Sequence, residues 1–124
     1  MSRLPKNTRQ QAERKGRWAE NFAVWFLRFQ LFTILARRVK TPGGEIDIVA
    51  RRGDLIVFVE VKMRQQKSAM EDALSSVNKR RIIAAANYFL AANPKLFHKP
   101  LRFDVIFLAP RAWPTHLKGA FETP

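Results

Sequence analysis

Gly43 to Arg64 reads GGEIDIVARRGDLIVFVEVKMR. Two β-branched, apolar runs flank Arg52-Gly53-Asp54-Leu55, which predicts a β-hairpin with a two-residue turn. Glu45, Asp47, Glu60 and Lys62 stand inside those runs. Ionisable residues rarely occupy such positions unless they pair, hold a metal or take part in chemistry. With Gly53-Asp54 as the turn, Arg52 faces Leu55, Asp47 falls opposite Glu60, and Glu45 falls opposite Lys62. Alternation then puts all four charged side chains on one face with Val49 and Phe58, and Ile46, Ile48, Val59 and Val61 on the other.

Directly opposed residues have Cβ atoms about 4.5–5.5 Å apart. Two carboxylates held that close repel, and a divalent cation between Asp47 and Glu60 removes the repulsion. Carboxylate oxygens and water suit Mg²⁺ or Mn²⁺. Such an ion polarises a phosphoryl oxygen and lowers the pKa of a bound water. Lys62, one rung along, is placed to orient that water or to stabilise charge on the phosphate. The plainer alternative is a solvated face with a Glu45–Lys62 ion pair and with Asp47 and Glu60 simply exposed, an arrangement nearly neutral in energy.

Upstream, Thr41-Pro42-Gly43-Gly44 is a breaker and Phe32 to Lys40 (FTILARRVK) reads as a strand with a basic end. Arg9 to about Arg28 has helical period, with Thr8 as a fair N-cap and Ala19, Phe22, Ala23, Phe26 and Leu27 on the buried stripe. Glu20 lies at the edge of that stripe, where an ordinary solvated carboxylate is the simpler reading. Trp18, Phe22 and Trp25 fall at helical spacing and read as core packing rather than base stacking. Downstream, Gln65 to Glu71 reads as loop. A second helix runs from Ser75 or Ser76 to about Ala92, ended by Asn93-Pro94. Leu101 to Leu108 is a fourth strand, and Pro110 to Pro124 is less regular, anchored by Trp113 and Phe121. The order is helix, three strands, helix, strand. It predicts an α/β fold with a mixed sheet and helices packed on it. Residues 1–8 read as a basic leader and 9–124 as one domain.

The chain has 124 residues, with 23 Lys plus Arg against 10 Asp plus Glu and a formal charge of +13. That excess points to a polyanion, with nucleic acid ahead of a membrane surface. Arg14, Lys15 and Arg17 load the first helix with charge, Arg64 closes the hairpin, and Lys79 and Arg80 open the second helix. Each reads either as a phosphate contact or as solvated charge. The absence of cysteine excludes disulfides and thiolate metal sites. No apolar run is long enough for a membrane span or a signal peptide, so a cytoplasmic location is expected. Asp104, inside an apolar strand, reads as structural with Arg102 as a partner. His98 and His116 read as incidental.

A helix carrying Glu20, Asp47 on one strand and Glu60-x-Lys62 on the next resembles the core of the PD-(D/E)XK nuclease superfamily. More closely, GRWAENFA from Gly16, GGEIDIVA from Gly43, VFVEVKMR from Val57 and RFDV from Arg102 resemble the YraN-like family of small bacterial proteins. That family is described as predicted endonucleases similar to archaeal Holliday-junction resolvases. The resemblance implies a restriction-endonuclease-like αβββαβ core. It implies Asp47 and Glu60 as metal ligands together with the backbone carbonyl of Val61, and Lys62 as the residue that orients water or stabilises charge. Glu20 would be the helix carboxylate that joins the site, and Glu45 an auxiliary ligand or the ion-pair partner of Lys62. Ile46 rather than Pro precedes Asp47, as in variable members of the superfamily. The implied activity is Mg²⁺- or Mn²⁺-dependent hydrolysis of DNA, branched or otherwise structured, and cutting of both strands calls for a homodimer. A non-catalytic, basic nucleic-acid-binding module with the same fold is the alternative, and a basic protein-interaction domain the third reading.

Overall fold

The structure is a computed structural model that describes residues 6–65 and 77–122, and of residues 6–15 the backbone only. In chain order the described elements are α1 (Lys6–Phe29), β1 (Thr33–Thr41), β2 (Gly44–Arg52), β3 (Leu55–Met63), α2 (Lys79–Ala92), a 3₁₀ turn (Pro94–Leu96), β4 (Leu101–Leu108) and β5 (Thr115–Phe121). The expected mixed sheet is present, with five strands in the order β1-β2-β3-β4-β5. All neighbours are antiparallel except β3 and β4, which are parallel and joined through α2.

Several boundaries differ from expectation. Thr8 lies inside α1 and is not its cap, since the helix already includes Lys6. Asn78 caps α2, its side chain accepting from the Arg81 N–H at 3.2 Å. Ser75, Ser76 and nearly all of the loop expected over 65–71 lie outside the described residues. The tail expected to be irregular contains β5, whose lysine and glycine disguise a strand.

The hairpin turn is the expected one. Arg52 pairs with Leu55, and Gly53 has φ 61°, a left-handed value that glycine adopts freely. The second turn, between β1 and β2, places Gly44 directly against α2. A Cβ at Gly44 would stand 2.0 Å from the Arg81 carbonyl oxygen. Gly44→Ala therefore forces α2 off the sheet, with an expected loss of about 1–3 kcal/mol in a urea titration.

The sheet is covered on both faces. On one side α1 lays Ala19, Ala23, Val24 and Leu27 against Ile48, Ala50, Val57, Val59, Ile106 and Leu108. On the other, α2 lays Ile82, Ala85, Ala86 and Leu90 against Val49, Ile56, Phe58, Phe103, Val105 and Phe107. Phe103 stacks between Phe58 and Phe121, at 5.4 and 4.9 Å between ring centres. The small alanines of α1 let the helix approach closely, and its larger residues stay outside. Trp18, Phe22 and Trp25 are exposed by 56, 40 and 69%, so the expectation that they pack in the core is wrong. Trp113 is 88% exposed and anchors nothing, whereas Phe121 is buried as expected.

Asp104 is fully buried in β4 and is the hub of a polar cluster. Arg102 donates to both of its oxygens at 2.8 Å, and the Gly119 N–H donates to Oδ1 at 2.9 Å. His116 Nε2 lies 2.6 Å from Oδ2, and His116 Nδ1 meets Gln30 Nε2 at 3.1 Å. Arg102 is the expected partner; His116 is not incidental but part of this network. The β4–β5 register shifts between Phe103 and Val105, and Gly119 at φ 62° supplies the bulge that turns its N–H onto Asp104.

Candidate active site

The expected register holds along the hairpin, from Arg52–Leu55 to Ile48–Val59, and then the ladder stops. Asp47 and Glu60 lie one step beyond it, at the mouth where β2 and β3 no longer pair. There the Val61 N–H donates to Asp47 Oδ2 at 2.7 Å, so a side chain takes the place of a strand partner. The expected pairing of Asp47 with Glu60 and of Glu45 with Lys62 is thus absent from the ladder, which ends at Ile48–Val59.

The single shared face is also corrected. Ile46 and Val49 both pack toward α2, while Ile48 packs toward α1. Regular alternation cannot place residues three apart on one side, so the alternation of β2 breaks at Asp47, although its register with β1 runs unshifted from Ala36–Val49 to Thr41–Gly44. Across from it in β1, Arg38 has φ 52°, an uncommon left-handed value for a non-glycine residue. That kink lets Arg37 and Arg38, adjacent in sequence, both turn toward α1. On β3 the alternation stays regular. Val57, Val59, Val61 and Met63 side with α1, and Glu60 and Lys62 continue the row of Ile56 and Phe58. Asp47 turns toward the end of β3 because the alternation of β2 breaks there, not because four residues share one pleat.

The result is a cleft of about 580 Å³ between α1 and the mouth of the hairpin. α1 contributes Gly16, Arg17, Ala19 and Glu20; β1 contributes Arg38 and Lys40. β2 contributes Glu45, Ile46 and Asp47, and the end of β3 contributes Val61, Lys62, Met63 and then Arg64. Glu60 stands beside the cleft, with Lys62 Nζ 3.5 Å from its Oε1. The ion-pair partner of Lys62 is therefore Glu60 on its own strand, not Glu45 across from it. Glu45 is exposed at the rim.

Glu20 is not the solvated helix carboxylate that its position suggested. It is 7% exposed. Arg37 Nε donates to its Oε1 at 2.9 Å and Arg38 Nε to its Oε2 at 2.8 Å. Arg37 also donates to Asn21 Oδ1. Both oxygens of Glu20 are thus engaged. Among the described residues no three of His, Cys, Asp and Glu stand together as a metal-binding group. Of the basic residues singled out in the sequence, Arg17 and Arg64 line the cleft. Lys79 and Arg80 are exposed at the start of α2 and do not; the Lys79 ammonium instead lies 5.9 Å over the Phe121 ring. The side chains of Arg14 and Lys15 lie outside the described residues. Sequence reading missed Arg37, Arg38 and Lys40, although the run RRVK before Pro42-Gly43-Gly44 was visible as a basic strand end.

The electrostatics of the mouth are those of crowded anions. Burial lifts the Asp47 carboxyl above its ordinary range, the Val61 N–H opposes this, and the charges of Glu20 and Glu45 add to the rise. Glu60 is pushed up to about 7 by burial first and by Asp47 second, with Lys62 pulling it down. Both groups make the same prediction for stability. A carboxyl whose folded pKa is raised favours folding fully below its ordinary value of 4.5, and that contribution is lost as pH rises through about 7. For Glu60 the loss is about 3 kcal/mol. In chelator, the urea midpoint should fall between about pH 5 and about pH 8, and Glu60→Gln should flatten most of that slope.

The sequence pattern of Uncharacterised protein family UPF0102 matches residues 19–108, which span α1 from Ala19 through β4 and so every strand that forms the cleft. Similar chains include a UPF0102 protein of Rhodopseudomonas palustris, 48% identical over 95% of this chain and 90% of that one. Another, from Azorhizobium caulinodans, is 47% identical over 92% of this chain and 87% of its own length. A third, from Chelativorans, is 44% identical over 92% of each. With the family pattern matching residues 19–108 and these relatives aligned over 92% or more of the chain, the chain belongs to the UPF0102 family.

Proposed function

We propose that this protein is a metal-dependent endonuclease that hydrolyses phosphodiester bonds in DNA, on a restriction-endonuclease-like core of the PD-(D/E)XK superfamily. One observation carries the reading: Glu60, pushed up to about 7, sits with Asp47 and Lys62 at the mouth of a cleft walled by basic residues. Carboxylates held at such cost are frequent at functional sites. A bound cation would lower both pKa values and recover the energy.

The donor set fits a hard divalent ion. Mg²⁺ is commonly held by one or two carboxylates plus substrate phosphate and water. Asp47 and Glu60, with the Val61 carbonyl, are enough for that and for Mn²⁺. When bound, the ion would polarise the phosphate and lower the pKa of a water. The chain's own residues do the rest. Lys62 leaves Glu60 to stabilise charge on the phosphate or orient the water. Arg17, Arg38, Lys40 and Arg64 gather the DNA backbone around the cleft. Glu20 acts as a positioning residue, holding Arg37 and Arg38 at the cleft wall, and Glu45 is auxiliary. Selectivity for branched or structured DNA would come from the shape of the backbone. A homodimer would cut both strands, and the cytoplasm is the proposed location.

The second reading, a non-catalytic nucleic-acid-binding module, is favoured by the engagement of both Glu20 oxygens, which leaves two carboxylates rather than three for a metal. Incubation with a four-way junction, linear duplex and supercoiled plasmid, in Mn²⁺ and in EDTA, separates the two. Cleavage in Mn²⁺ alone supports the nuclease. Binding in both with cleavage in neither supports the module.

A further inference from the structure

A second groove, of about 480 Å³, adjoins this cleft. Its walls include Trp18 and Phe22 of α1 and, across from them, Pro110, Arg111 and Trp113 between β4 and β5. Met63 lines both the groove and the cleft, so the two form one continuous surface. The aromatic rings are open to solvent: Trp18 is 56% and Trp113 88% exposed. The Trp18 and Phe22 rings lie 5.5 Å apart and tilted by 33°. A soluble chain leaves such a patch uncovered when something else covers it.

We propose that this groove stacks unpaired bases of single-stranded DNA that flanks the phosphate held in the cleft. The inference rests on the nuclease reading and specifies its substrate as DNA with an unpaired segment beside the reacting bond.

Three observations favour bases over another occupant. The patch is built from flat aromatic rings, which stack any base through its π-face. It is bordered by Arg17 in the adjoining cleft and by Arg111 in the groove itself, and a strand's phosphates need cations beside its stacked bases. The shared Met63 wall makes the path from groove to Asp47 one that a continuous strand can follow. A second copy of the chain fits less well. Each copy carries a charge of +13, and facing these basic borders would bring like charges together.

The test is equilibrium binding of the full chain in EDTA at fixed salt, so no cleavage contributes. The probes are a dT oligonucleotide and a blunt duplex of equal length. With bound dT, fluorescence of Trp18 and Trp113 should be quenched. Trp18→Ala and Trp113→Ala should each weaken dT binding about tenfold or more. Duplex binding, which depends on phosphate contacts, should change less than about twofold. Trp113→Phe should restore most of the dT affinity. Equal loss on both probes, or no loss on either, overturns the proposal. So does a wild-type dimer in sedimentation that Trp18→Ala dissociates while dT affinity is unchanged, since the groove would then hold a second copy. Because metal is absent, a failed hydrolysis reading leaves the base-stacking result standing, and a failed stacking result leaves hydrolysis untouched.

Discussion

Asp47→Asn and Glu60→Gln should each lower metal-dependent cleavage by on the order of 10²–10³, while leaving the metal-free protein more stable above neutral pH. The two effects have opposite signs because they have one cause. The wild-type site holds Asp47 and Glu60 at the mouth of the hairpin, where burial raises both pKa values, the charges of Glu20 and Glu45 add to the rise at Asp47, and the charge of Asp47 adds to it at Glu60. An amide keeps the shape and loses the charge. Asn at position 47 can still accept from the Val61 N–H, so the local fold survives. For Glu60→Gln the expected gain at about pH 8 is up to about 3 kcal/mol, set by the upward shift to about 7. Cleavage measured at saturating substrate, with urea titrations on the same preparations, reads both quantities. A variant that loses activity and stability together would mark these residues as structural. Unchanged cleavage in both variants would remove the hydrolytic role of the hairpin.

Asp104→Ala should destabilise the fold by about 3–5 kcal/mol, the usual consequence of removing one partner from a buried ion pair. That corresponds to a fall in Tm on the order of 10–20 °C. The side chain is fully buried and satisfies Arg102, His116 and the Gly119 N–H at once. Its removal leaves a guanidinium and an imidazole facing each other without an acceptor, at the bulge that seats β5 on β4. Burial alone would raise the Asp104 pKa, but His116, Arg102 and Gly119 together lower it below the ordinary 3.8. A lowered folded pKa contributes stability that is present above the ordinary value and lost as pH falls through the folded one. The stabilisation therefore holds at neutral pH and disappears in acid, the reverse of the trend at Glu60. Scanning calorimetry across the acid range distinguishes them. Asp104 lies outside the cleft, so cleavage per folded molecule should be unchanged at low temperature.

What could be read in advance was what local chemistry decides. Gly53-Asp54 selects a two-residue turn, and such a turn sets the register of everything paired beyond it. Asp47 and Glu60 were brought together on that basis. The break in alternation at Asp47 could not be read, because it accompanies a left-handed conformation at Arg38 in the neighbouring strand. Periodicity also misassigned α1. The helix carries two apolar stripes, one of alanine, valine and leucine and one of tryptophan and phenylalanine. Hydrophobicity favours the aromatic stripe, but close packing on a sheet favours the small one, and packing won. Glu20 was misplaced for the same reason, since its burial comes from two arginines of β1. His116 looked isolated because Gln30 lies 86 residues away in sequence. Its bond to Asp104 exists only once β5 is in place, and β5 itself was hidden by the bulge at Gly119.

The most direct test of the account is an anomalous difference map from crystals of the full chain soaked in Mn²⁺. The expected result is a peak within coordinating distance of the Asp47 and Glu60 carboxylates, lost in Glu60→Gln crystals soaked identically. No peak at the mouth of the hairpin, with both carboxylates in contact with solvent, would contradict it.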